Sequence, residues 1–208
     1  ITPNSEETDQ IPDGRSSYKY IAIAMFKVRL LQAELQSILH EKKEIPRSFS
    51  TFKEWLSDIS LRLDIWINSV PETYSQMNCD FNVEFLDLNY DHSRVMLHGL
   101  SPVRFDFSDE DMIKLAGASM GMIFSFFSLW EKKSLNHTWA ATQNVFMAGT
   151  SYLYAIFHNK KIQKQIQFDE VKKISDCVEV VLSSLIDKCN ASKECLEVYQ
   201  ILSRAVIK

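Results

Sequence analysis

Two long stretches without a charged residue constrain this chain more than any other feature. Residues 115–130 (LAGASMGMIFSFFSLW) and 139–157 (WAATQNVFMAGTSYLYAIF) are separated only by the polar hinge 131–138 (EKKSLNHT). Each is long enough for one helix and apolar on nearly every face, and a helix apolar all round is buried by other helices or by lipid. The first run has 16 residues, roughly 24 Å of helix against a hydrocarbon core of about 30 Å. The second carries Thr142, Gln143, Asn144, Thr150 and Ser151, whose polar groups would need partners in hydrocarbon. Lys132 and Lys133 lie in the hinge, and no matching Lys/Arg excess marks one outer flank. The pair is therefore expected inside an all-α protein, coated by amphipathic helices and not by a membrane. Gly117 and Gly121 are then places where a neighbouring helix comes close.

Five glycines and five prolines in 208 residues leave little turn material and favour long helices. Residues 1–17 are polar, with Pro3, Pro12 and Gly14 beside Glu6, Glu7 and Asp9, and read as a linker. Residues 18–208 read as a single all-α domain of about seven helices, and the start without Met suggests a fragment of a larger protein. Ser16 or Ser17 caps a first helix over 18–43, with Ile21, Val28 and Leu35 inward, Gln32 outward, and an end before Pro46. Ser50 or Thr51 caps a second, which runs to Ser69 and is stopped by Pro71. Residues 83–88 alternate weakly enough for a short strand, but a helix over 84–98 ended by Gly99 is preferred. Ser108 with Asp111 three residues on is a capping-box pattern that opens the first central helix. Thr138 caps the second, which frays into a basic segment over 158–167. A helix from Phe168 or Asp169 to Asn190 and a last one capped by Ser192 complete the chain.

Few functions survive this composition. Net charge is −4, which is no electrostatic footprint for nucleic acid. Cys79, Cys177, Cys189 and Cys195 form no C-x2-C pair and have no histidine at ligand spacing, so they read as small apolar residues of a reducing compartment. The five histidines never approach H-E-x-x-H, no glycine-rich turn follows a strand, and no G-x-S-x-G occurs. Asp109, Glu110 and Asp111 open a helix, where the dipole already explains them. No catalytic constellation emerges, and the expected class is non-enzymatic with no metal. Binding remains. Met120, Phe124, Trp139 and Tyr152 could line an apolar pocket, with Arg94, Gln143 and Asn144 as the polar groups that orient a ligand. Plain core packing for the first four, and satisfaction of loop backbone for the others, stay open beside that reading.

The order of motifs resembles the later half of the middle homology region of fungal zinc-cluster (Zn2Cys6) transcription factors. Thr2-Pro3 through Thr8-Asp9 is similar to its lead-in, and 18–39 to its helix with an Ala33-Glu34-Leu35 run. Residues 52–71 resemble the leucine-tryptophan helix with a closing proline. Leu86-x-Leu88-x-Tyr90 through Val95-x-Leu97-His98 resembles the helix with a Leu-His turn, although Gly99-Leu100 stands where Arg-Pro is usual. Residues 115–124 are similar to its small-residue helix. Trp139, Val145-Phe146-Met147-Ala148-Gly149 and Leu153-Tyr154 carry the best match, and Cys177, Leu182 and Leu185 the next helix. The resemblance implies a nuclear regulator of RNA polymerase II transcription whose helical domain restrains or relays activation, in some members by binding a small molecule. It implies DNA contact and zinc in a separate cluster absent from these residues, and transcriptional co-regulators; a homodimer is left open, since the oligomeric state does not follow from the sequence. A helical interaction scaffold without a ligand is the alternative, and an all-α enzyme on an apolar substrate the third.

Overall fold

A computed structural model describes residues 15–136 and 138–207, with the side chain of Gln165 left out. The lead-in Thr2–Asp9 quoted above lies outside the described residues. Eight α-helices and two short turns of tighter or wider helix make an all-α architecture, with two isolated bridges in place of any strand among the described residues.

Local signals set most of the boundaries. In α1 (Tyr18–Leu35), the Ser17 hydroxyl accepts from the Tyr20 N–H. A π-helical turn, Gln36–His40, follows and ends the run short of 43. A reciprocal capping box between Thr51 and Glu54 opens α2 (Phe52–Ser69), which stops before Pro71. A 3-10 turn, Tyr74–Gln76, leads to α3 (Glu84–His98). Gly99 ends α3 with a φ of −83°, not in the left-handed region. Glycine is needed there for space: a Cβ would lie 2.6 Å from the Val95 carbonyl oxygen.

The central pair forms as α4 (Asp109–Glu131), opened by the Ser108–Asp111 box, and α5 (Thr138–His158). Thr138 is the first residue of α5 and not its cap. The basic segment is not frayed: Asn159 caps a short α6 (Lys160–Gln165) through the Lys161 and Ile162 N–H groups. This accounts for eight helices instead of seven. α7 (Phe168–Leu185) and α8 (Ala191–Val206) complete the chain. Ser192 sits inside α8, buried, and donates to the Leu182 carbonyl, so it ties α8 to α7 and caps nothing.

Two cores result. The larger joins α3, α4, α5, α7 and α8 around residues such as Met122, Val145, Tyr152, Val178 and Tyr199. The smaller joins α1, α2 and α3 around Leu35, Trp55, Ile59, Leu63 and Leu97. The α1–α2 layer packs on the rest of the molecule through α3. Gln32 is buried in that seam instead of facing water, and donates to Ser93 Oγ at 3.1 Å and to the Asn89 carbonyl at 3.3 Å. α4 is long and apolar enough to cross a membrane by length and composition, and half of its most apolar stretch is buried among the other helices.

The two small residues of α4 have opposite fates. Gly121 lies under α3, where a Cβ would meet the Asp91 carboxylate at 2.0 Å. Gly117 has nothing within 4 Å of a Cβ position and gives no neighbour its close approach.

Candidate functional site

A half-open cavity of about 540 Å³ lies between α3, α5 and α8, with Leu115 of α4 at its floor and His40 of the π-helical turn at its edge. Helical spacing builds it. Met147, Thr150, Tyr154 and Phe157 recur three or four residues apart along one face of α5, and Leu202, Ala205 and Val206 face them from α8. Met96 and Leu100 close the α3 side. The volume falls within the range of small-molecule sites.

Among the described residues, no Asp, Glu, Lys or Arg side chain lines the cavity. Burial holds the His40 imidazole below its ordinary pKa, so it is neutral near pH 7. The Thr150 hydroxyl is occupied, donating to the Phe146 carbonyl at 2.8 Å. Ser151, Tyr154 and His40 are the remaining polar side chains of the wall, and the Tyr154 ring stacks on His158 with centroids 4.4 Å apart. Such a surface suits an uncharged, mostly apolar occupant, because an ion would find no counter-charge there.

None of the seven residues expected from sequence lines this cavity. They fall in three places. Trp139 and Gln143, both exposed, lie one to three turns N-terminal to the cavity on the α5 face that carries Met147 and Thr150, and half-buried Asn144 is beside them. Arg94, Met120 and Phe124 belong to the opposite flank of the α3–α4 pair; Arg94 is 3.5 Å from Asp91 and its guanidinium sits 5.3 Å over the Tyr90 ring. Tyr152 is in the main core, its hydroxyl without a partner among the described residues and its pKa pushed up to about 12 by burial. The cavity residues that sequence reasoning passed over left one signal. Leu202 and Ala205 sit off the buried face of α8 defined by Tyr199 and Ser203, on a helix that burial of one face fully explains.

Two further histidines lie on α3: His98 is buried and His92 half-buried. Burial pulls His92 and His98 down to about 4, with Arg29 adding to the effect for His92 and Asp111 opposing it for His98. Their unfolded values are near 6.5, so the unfolded chain binds more protons between the two values and stability falls as pH drops from about 6.5 towards 4. Asp91 works the other way, since burial raises it to about 6, and protonating it on the way down relieves a cost. Two histidines outweigh one carboxyl. Melting temperature is expected to fall between pH 7 and pH 4.5 by the equivalent of a few kcal/mol, at about 1.4 kcal/mol for each pH unit by which a pKa moves. Calorimetry on the protein and on His98→Met checks this: the variant should show a shallower slope, and an equal slope would refute the assignment.

Among the described residues no three of His, Cys, Asp and Glu gather into a group able to hold a metal ion. The four cysteines are free, with Cys177 buried and the other three half-buried.

Comparison with known proteins finds the chain similar to parts of two fungal regulators. It is 36% identical over 213 residues to pyrimidine pathway regulatory protein 1 of Saccharomyces cerevisiae, a match that covers 100% of this chain and 24% of that protein. It is 30% identical over 241 residues to the positive regulator of purine utilization of Emericella nidulans, covering 95% of this chain and 23% of that one. The chain thus spans about a quarter of the length of either relative. No family-wide sequence profile matches it, and no solved structure matches it.

Proposed function

We propose that this chain, which belongs to the fungal zinc-cluster (Zn2Cys6) regulators, is the segment that restrains or relays activation in a transcription factor for metabolic genes, in response to a small molecule held beside α5. The observation that carries the effector site is the half-open apolar cavity bounded by α3, α5, α8 and His40. The regulatory role is supported by a match along the whole chain to two proteins named as pathway regulators. In this reading the segment catalyses no reaction and works in the nucleus. DNA is gripped by a separate cluster of the parent, which is also where zinc belongs, and co-regulators read the outcome. Trp139 and Gln143 extend the α5 wall and take the end of the effector that projects from the cavity.

Filling the cavity tests this. In cells that carry the full-length regulator and a reporter gene, Met147→Trp and Leu202→Trp place an indole in the space; Leu202 is 41% exposed, so its replacement spares the core. Reporter induction should need roughly tenfold more effector, the equivalent of about 1.4 kcal/mol, while promoter occupancy stays unchanged. Normal induction in both variants refutes the effector site.

The exposed apolar rim, with Leu100 and Phe157 more than half exposed, favours one second reading: a scaffold that docks a partner helix in the same groove. There the two tryptophan variants lose co-regulator binding, and no small molecule raises the melting temperature.

A further inference from the structure

The best candidate beyond the cavity is the trough on the other flank of the α3–α4 pair. α4 is apolar on nearly every face, yet the other helices cover only one side of it. Its outward stripe runs Ile113, Gly117, Met120, Phe124, at helical spacing of four, three and four residues; Ile113 is 47% and Phe124 42% exposed. A helix apolar all round is a buried helix, so in the working protein this stripe has a cover. Gly117 stands in the middle of it with open space where a Cβ would be, which lets another backbone come to close range.

α3 forms the bank of the trough. It runs antiparallel to α4, as shown by Glu84 accepting from Ser128 at one end and Asp91 lying against Gly121 two turns on. Asp87 falls between these contacts, level with Phe124. It has no cation within ion-pair reach among the described residues, whereas Glu84 is paired with Lys132 and Asp91 with Arg94. Partial desolvation and the neighbouring Glu84 and Glu72 raise the exposed Asp87 carboxyl above its ordinary value, a direction that a positive partner at this point would reverse.

We propose that the α3–α4 trough docks an amphipathic helix from another part of the same parent polypeptide. Its apolar face lies over Ile113, Met120 and Phe124, its backbone passes closest at Gly117, and a Lys or Arg meets Asp87. The source is argued from length: in both relatives about three quarters of the polypeptide lies outside the region matched here, so a tethered helix is present at high effective concentration. The inference does not depend on the cavity holding an effector.

The test uses the full-length regulator. Phe124→Cys and, as a control on an exposed α2 position, Lys53→Cys are labelled with a maleimide, and rates are read peptide by peptide by mass spectrometry. A cysteine at 124 should react at least roughly tenfold more slowly than one at 53, as expected of a site opened by about 1.4 kcal/mol or more. Equal rates overturn the proposal. Protection that disappears on dilution also overturns it, because the cover would then be a second copy. Gly117→Trp adds an independent check: a Cβ at this exposed position meets nothing within 4 Å, so a lower melting temperature or a deregulated reporter is expected if a helix passes there. An unchanged protein counts against it.

Discussion

Trp55→Ala should lower the free energy of unfolding by about 3–5 kcal/mol. Trp55 is fully buried at the centre of the α1–α2–α3 core, against Leu35, Ile59, Leu63 and Leu97. Truncation leaves a cavity the size of an indole between three helices with little freedom to collapse. It also removes a hydrogen bond, because the Trp55 Nε1–H donates to Glu34 Oε1 at 2.8 Å. Glu34 keeps its fork with Arg62, at 2.8 and 2.7 Å, and the Arg62 guanidinium holds its carboxyl below the ordinary value. Trp55→Phe therefore separates the two losses. It retains most of the packing and forfeits the bond to a charged acceptor, at about 1–3 kcal/mol. Urea unfolding followed by circular dichroism ranks the pair; a phenylalanine variant as unstable as the alanine one would show that the indole matters for its N–H and not its volume. Since domains of this kind are stable by only about 5–15 kcal/mol, the alanine variant should be visibly close to unfolding.

Gly149→Val should cost about 3 kcal/mol or more, by overfilling instead of emptying a core. A Cβ at 149 would stand 2.7 Å from Tyr199 Cε2 and 3.0 Å from Val178 Cγ1. The tyrosine cannot swing aside freely: it is fully buried, and its hydroxyl donates to Ser175 Oγ at 3.2 Å, which shares a further hydrogen bond with Ser203 at 2.8 Å. Gly149→Ala should be milder, since the helix gains about 1 kcal/mol from losing a glycine. Adding Tyr199→Leu to Gly149→Val should recover part of the loss, and strict additivity of the two changes in denaturant unfolding would refute the clash. Gly117→Ala is the contrasting case. With open space at its Cβ, it keeps the propensity gain within α4 and should be neutral or slightly stabilising wherever the α3–α4 trough stands uncovered.

The glycines of α4 show where sequence stops being informative. Caps and breakers are local chemistry, so the bounds of α2 and α3 could be read from Thr51, Glu54, Pro71 and Gly99. The charge-free runs announced α4 and α5 because a mean property over many residues survives ignorance of the neighbours. Which side of an all-apolar helix is covered does not follow from such a run, and so Gly117 and Gly121 looked alike although one faces open space and the other α3. Gln32 failed for a related reason: a polar residue on the apparent outer face was buried because α3 offered Asn89 and Ser93 as partners. α6 has six residues, too few for a period to register. The cavity was the hardest to foresee, since α3, α5 and α8 supply its walls from segments far apart in the chain. Trp139 and Gln143 share the α5 face of Met147 and Thr150, but lie too far towards its N-terminus to reach the cavity.

The attachment of α1 and α2 through α3 gives the molecule a hierarchy of opening. For the layer to lift off while the five-helix core stays closed, it must break the apolar clusters around Leu35–Leu97 and around Val28, Trp66 and Leu86, the Tyr90–Asp64 hydrogen bond and the Gln32–Asn89–Ser93 set. Those three polar groups act as a key in a keyway. A one-turn slide of α1 along α3 would strand them without partners in a dry seam, so the layer can detach or be seated but has no intermediate resting place. Amide exchange would record this as two tiers, with α1 and α2 exchanging ahead of α4, α5 and α7.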